Sequence, residues 1–231
     1  MSKIIIAIDG PAGSGKSTIA KMVAERLNYT YLDTGAMYRA ITYLALKKGI
    51  VDNEEAVNKL VKELDVTLKF ENGLTRVFVN NEEVTDYIRT PEVNSKVSEI
   101  AAMPFVRKEL VRMQQDMGKT GNVVAEGRDT TTVVFPDADL KIYLVASADI
   151  RAERRLKEYK EKGVKITFEE VKENLLKRDK IDSSRATSPL RKAENAIEVD
   201  TSNLSVEEEF DILIENIKKK INLINKSRSN N

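Results

Sequence analysis

The 231-residue sequence contains neither cysteine nor histidine. The first absence removes disulfides, thiolate nucleophiles and cysteine-ligated zinc or iron–sulfur centres. The second removes Ser-His-Asp chemistry, histidine metal sites and histidine general bases. Long hydrophobic runs are missing too. The first apolar stretch, Ile4 to Ile8, is far too short for a signal-peptide core or a membrane span. Nor does one sign of charge dominate: 38 Lys and Arg against 37 Asp and Glu leave a net +1, so no global field draws nucleic acid or an anionic membrane. What remains is chemistry built from Lys, Arg, Asp, Glu, hydroxyls and backbone dipoles. Phosphoryl transfer suits that inventory, because it is mostly positioning plus charge neutralisation. Without cysteine or a targeting segment, the chain is expected in the cytoplasm.

The length fits one domain carrying small insertions, and the apolar and charged fractions are those of an ordinary globular protein. Ile4-Ile5-Ile6-Ala7-Ile8 is a continuous β-branched run ending in Asp9-Gly10-Pro11, the pattern of a strand buried on both faces. A glycine-rich turn, Gly10 to Gly15, leads into a helical stretch over about 16–27 with Ile19, Val23 and Leu27 on one face. Further buried strands are expected at 30–33, 122–126, 140–146 and 196–200 with helical patterns between them, giving an α/β fold on an open parallel sheet of about five strands. Residues 66–79 break the rhythm and read as an antiparallel hairpin turning at Glu71-Asn72-Gly73. Thr90-Pro91 then starts a helix, so an insertion with its own small sheet separates the second and third core strands. Residues 149–180 form a charged helical hairpin broken at Gly163, whose second helix opens with a Thr167/Glu170 capping box. An amphipathic helix over about 205–224 packs on the sheet, and 226–231 is expected to be a frayed polar tail.

Gly10-Pro11-Ala12-Gly13-Ser14-Gly15-Lys16-Ser17 satisfies G-x-x-x-x-G-K-[ST] between a buried strand and a helix, the context the motif requires. Glycines let the backbone curl so that successive N–H groups converge on phosphate oxygens. The helix beginning near Lys16 aims the positive end of its dipole at the same anion. Lys16 is expected to reach the β- and γ-phosphates of a triphosphate, and the Ser17 hydroxyl to hold Mg²⁺. Thr30 to Arg39 follows directly, so Asp33, Thr34, Tyr38 and Arg39 belong near the loop at the carboxyl ends of the strands. No guanine-reading N-K-x-D motif is present, and Val123-Val124-Ala125-Glu126 only loosely matches the acidic strand of a P-loop motor.

Ile6 through Thr18, Leu32-Asp33-Thr34-Gly35-Ala36-Met37-Tyr38-Arg39-Ala40, Ile88 to Val93, Glu126-Gly127-Arg128-Asp129, Thr132 to Ala138 and Lys177-Arg178-Asp179 together resemble bacterial cytidylate kinases, over about 4–204. The resemblance implies a P-loop three-layer α/β/α core (1–35 and 104–225), an inserted nucleoside-monophosphate-binding domain (36–103) and a short helical lid at about 151–168. It also implies a monomer that uses ATP and Mg²⁺ to phosphorylate CMP or dCMP, with no nucleic-acid or membrane partner.

By the same resemblance Asp129 reads the exocyclic amine of cytosine, where a carboxylate attracts and would repel the carbonyl of uracil. Arg107 faces the ring acceptors, and Ser98 and Thr34 are further nucleoside contacts. Arg39 and Arg128 clamp the acceptor phosphate, while Arg178, Asp182 and Arg185 serve its sugar and phosphate. Tyr38 shapes the acceptor pocket by packing. Lys16, Arg128, Arg178, Arg154 and Arg155 are the candidates for the transfer itself. For Arg154 and Arg155 two readings stand: a lid closing over the transferring group, or a solvated helix face paired with Glu153 and Glu158. No general base is needed, because the attacking phosphate oxygen is already anionic. The family usually has glycine where this chain has Thr131, and if that position needs a positive φ, threonine is strained there by about 1–2 kcal/mol. Other readings are a P-loop kinase for UMP, AMP or a metabolite such as shikimate, and a non-catalytic ATP-binding regulatory module.

Overall fold

The computed structural model describes residues 3–71, 73–119 and 121–229. Ile5, Ile6 and Ile8 with Ala7 between them build β1 (Ile5–Asp9), and the loop after it opens α1 (Lys16–Leu27). β2 (Thr30–Asp33) follows, and Asp33 caps α2 (Thr34–Lys47) by accepting from the Ala36 N–H at 2.9 Å. Next come α3 (Glu54–Lys62), the antiparallel strands β3 (Val66–Glu71), β4 (Leu74–Val79) and β5 (Glu82–Glu83), then α4 (Pro91–Ala102) with proline in its first turn. Asn72 of the expected hairpin turn lies outside the described residues. α5 (Pro104–Gly118) returns the chain to β6 (Val123–Gly127), a single π turn (Thr130–Val134) and β7 (Leu140–Val145). α6 (Ala148–Glu161), α7 (Phe168–Ser184) with its Thr167/Glu170 capping box, β8 (Ile197–Asp200) and α8 (Val206–Ser229) complete the chain.

The main sheet has strand order β2-β6-β1-β7-β8, parallel throughout. Ile19, Val23, Leu213 and Ile217 of α1 and α8 pack on Ile6 and Ile8 at one face, and Ala7, Leu32, Ala125 and Phe135 form the core at the other. A second core, with Met37, Ile41, Val77, Ile88, Ile100 and Leu110, joins the three-stranded sheet to α2, α4 and α5. Register brings the carboxyl ends of three neighbouring strands level: Asp9 pairs with Gly127, and Asp33 with Glu126. Every residue discussed below hangs from that edge or from the helices facing it.

Two expectations change. β8 is not buried on both faces. It is one of the sheet's two edge strands, with Ile197 exposed, because little besides β7 packs on it. And α8 runs on to Ser229, through most of the expected tail, since nothing after Ile224 stops a helix and Lys and Arg favour one. Asn230 and Asn231 lie outside the described residues. Among the described residues, no helix is long and apolar enough to cross a membrane.

Candidate active site

The loop after β1 can fold only with glycine at its special positions. Gly10, Gly13 and Gly15 have φ of 153°, 78° and 91°, and a Cβ on Gly10 would lie 2.1 Å from the Leu144 carbonyl oxygen. Arg151 of α6 braces the loop from outside. Its guanidinium donates to the Ala12 carbonyl at 3.0 Å and to Asp179 at 2.6 Å, and Asp179 accepts from the Ala12 N–H at 3.4 Å. Lys16 is buried and folds back on its own loop, donating to the Pro11 carbonyl at 2.7 Å and to Ser14 Oγ at 3.3 Å. Burial, then the nearby Arg128 charge, brings its pKa down to about 7, against the pull of Glu126 and Asp9.

Ser17 donates its hydroxyl to Glu126 Oε1 at 2.5 Å, and the Tyr31 hydroxyl donates to the same oxygen at 3.0 Å. Glu126 terminates the apolar strand that the sequence made look only loosely like an acidic metal-binding strand. Its signal was there, at the end of Val123-Val124-Ala125, but the pairing of β6 between β1 and β2 is what sets it against Ser17. A hydroxyl beside a carboxylate is an oxygen-donor pair that fits Mg²⁺, which takes one or two protein ligands and otherwise water and phosphate.

One cavity, about 650 Å³ including space open to solvent, joins this loop to the second group of residues. Of residues 10–18, Ala12, Gly13, Lys16 and Ser17 line it, and Gly10, Pro11, Ser14, Gly15 and Thr18 do not. Thr34, Tyr38 and Arg39 from α2, Ser98 from α4 and Arg107 from α5 form one side. Arg128 and Asp129 after β6, Arg155 from α6, and Arg178, Asp182 and Arg185 at the end of α7 form the other.

The cluster has two parts. In the first, Arg107 is almost wholly buried, pairs with Asp129, donates to the Ala101 carbonyl at 3.0 Å and stacks its guanidinium 5.3 Å from the Tyr38 ring. Arg185 approaches Asp129 and Asp182 at 3.8 Å each. In the second, Arg128 donates through Nε to Asp182 at 3.0 Å, while Arg39, Arg155 and Arg178 bring more cation than anion. Arg39 Nε, Arg155 Nε and Arg178 Nε are buried donors without an acceptor. Burial, then Arg128 and Arg39, lowers Arg178 to about 9, and burial, then Arg89, lowers Arg39 to about 10. Guanidinium groups that repel each other in a buried pocket, with N–H donors unspent, are the electrostatic form of an anion site.

Of the five candidates for the transfer itself, Arg154 is the one the structure does not bring to this cavity. Its guanidinium donates to the Thr201 carbonyl at 2.6 Å and the Thr201 hydroxyl at 3.0 Å. One residue further along the helix, Arg155 turns toward the cavity and donates to Glu158 at 2.7 Å. Successive helical positions are about 100° apart, so two adjacent arginines cannot serve the same point. Sequence reading also passed over Arg89, which donates to Asp33 at 2.6 Å and, with Arg39, holds that carboxyl below the usual range despite its burial. Thr131 is unstrained: its φ is not positive, it sits inside the π turn, and both its N–H and its hydroxyl donate to Asp9.

The cytidylate kinase family profile matches residues 6–219. The chain is 48% identical over 219 residues to a cytidylate kinase of Bacillus subtilis (strain 168), covering 94% of this chain and 98% of that one. To a cytidylate kinase of Bacillus thuringiensis (strain Al Hakam) it is 49% identical over 207 residues, 89% of this chain and 92% of the relative. A profile match over nearly the full length, joined by identity close to one half, shows that this chain belongs to the cytidylate kinase family.

Proposed function

We propose that the protein transfers the γ-phosphate of ATP to CMP or dCMP, releasing ADP and the nucleoside diphosphate. The observation that carries this reading is the set of unpaired buried guanidinium donors of Arg39, Arg155 and Arg178 in the same cavity as Lys16. A protein that only sensed ATP would have no use for a second anion site facing the first.

In this reading the loop N–H groups and Lys16 hold the β- and γ-phosphates, and Arg39, Arg128 and Arg178 hold the acceptor phosphate in line with them. An acceptor phosphate oxygen forms the new bond to the γ-phosphorus as the bond to the β-bridging oxygen breaks, and the electron pair leaves with ADP. Arg155 neutralises charge on the transferring group, and no side chain needs to take a proton. Ser17 and Glu126 are the residues that would hold Mg²⁺, which would supply charge neutralisation to the phosphates. Asp129 accepts from the cytosine amine and Arg107 donates to the ring acceptors, with Thr34, Ser98 and Tyr38 around the nucleoside and Asp182 and Arg185 at its sugar side. We read the enzyme as a cytoplasmic monomer, in keeping with the family resemblance.

An acceptor panel tests the proposal. ADP release should be fastest with CMP and dCMP, slower with UMP, and negligible with AMP or shikimate. Equal turnover of UMP and CMP would remove the base-reading role of Asp129, and activity on shikimate alone would overturn the proposal.

A further inference from the structure

Asp9 ends β1, is fully buried, and is not among the residues lining the cavity. Four donors nevertheless converge on its carboxylate. The Thr130 N–H and hydroxyl donate to Oδ1 at 2.9 and 2.6 Å, and the Thr131 N–H and hydroxyl donate to Oδ2 at 2.7 and 2.6 Å. These two residues directly follow Asp129 and open the π turn, whose first residue outside the turn is Asp129 itself.

An aspartate in that flanking position normally turns its side chain inward to accept from the N–H two or three residues on. Here it does not: Asp129 makes no side-chain cap, and the N–H it would take, that of Thr131, belongs to Asp9. Only the Asp129 carbonyl serves the turn, accepting from the N–H groups of Thr132, Val133 and Val134 at 3.3, 2.8 and 3.1 Å. Its carboxylate is thereby left for Arg107 and the cavity.

We propose that Asp9 is a positioning residue for acceptor recognition. It caps the turn from outside in place of Asp129, so that the Asp129 carboxylate stays aimed at the acceptor. Thr131 contributes a side-chain donor to this clamp that a glycine at the same position would lack. The inference rests on Asp129 reading the acceptor, as proposed above.

The test is a kinetic cycle of Asp9→Asn, Asp129→Ala and the double variant. An amide matches the carboxylate in shape but turns an NH₂ toward two of the donors. Asp9→Asn should raise the KM for CMP by about tenfold or more, the effect of losing buried hydrogen bonds. The KM for ATP should change less than about twofold, since the phosphate contacts remain. In the Asp129→Ala background Asp9→Asn should add nothing to the KM for CMP. If Asp129→Ala itself leaves CMP recognition intact, the base-reading assignment fails. If Asp129→Ala raises the KM but Asp9→Asn does not, or if the two effects multiply in the double variant, the positioning role fails and the assignment stands. Should Asp9→Asn not fold, Thr131→Val and Thr131→Ser decide: valine should raise the KM for CMP and serine should restore it, and equal values for the two would overturn the inference.

Discussion

Lys16 carries the most direct residue-scale consequence. Its pKa of about 7 in the free protein means that at pH 8 the amine is mostly neutral, whereas bound phosphates favour the charged form. ATP binding should therefore take up about one proton at pH 8, and affinity should fall as pH rises above the free-protein value. Calorimetry in buffers of different ionisation heat measures this directly. Proton uptake that persists in Lys16→Met would assign it elsewhere. Asp129→Ala should weaken CMP by about tenfold or more while narrowing the gap to UMP, because it removes an attraction for one base and a repulsion for the other. Equal losses for both bases would contradict the assignment. Gly127 gives a structural check. A Cβ there would lie 2.4 Å from Thr34 Oγ1 and 2.8 Å from Thr130 Cγ2, so Gly127→Ala should destabilise the fold by about 1–3 kcal/mol, read as a lower melting temperature.

Among the elements, the signals that depend on neighbours in sequence were the legible ones. The β1–loop–α1 unit, the 66–79 hairpin and the Thr167/Glu170 box are local patterns, and each element forms where its pattern lies. Burial of β8 was not readable, because it depends on which edge strand other elements come to cover. Glu126 was only loosely signalled and Asp9 not at all, for a similar reason: one meets Ser17 across 109 positions of sequence, the other meets Thr130 across 121. The π turn after Asp129 has no sequence signature at all, yet it is what makes Thr131 comfortable where strain was a concern. On α6 the two adjacent arginines should separate cleanly. Arg155→Ala should lower kcat by about 10²-fold, the scale of one lost transition-state donor. Arg154→Ala should instead lower thermal stability by about 1 kcal/mol or more through its lost bonds to Thr201. A larger kcat loss in Arg154→Ala than in Arg155→Ala would reverse those roles.

At the scale of the whole molecule, a parallel sheet supplies the phosphate loop and the helices packed beyond it supply the cations. The stretch between β2 and β6 brings Ser98 and Arg107 to the cavity on α4 and α5. The α6–α7 hairpin brings Arg155 and Arg178, and also braces the loop through Arg151 and Asp179. Motif reading found most of these side chains, but their meeting in one cavity is a property of the packing. That meeting is the central claim, and a bisubstrate ligand measures it: adenosine and cytidine joined through a chain of five phosphates. If both anion sites share the cavity, this ligand competes with ATP and with CMP alike, and binds more tightly than either, since one molecule spends the association entropy once. Competition with ATP alone, leaving CMP binding unaffected, would contradict it.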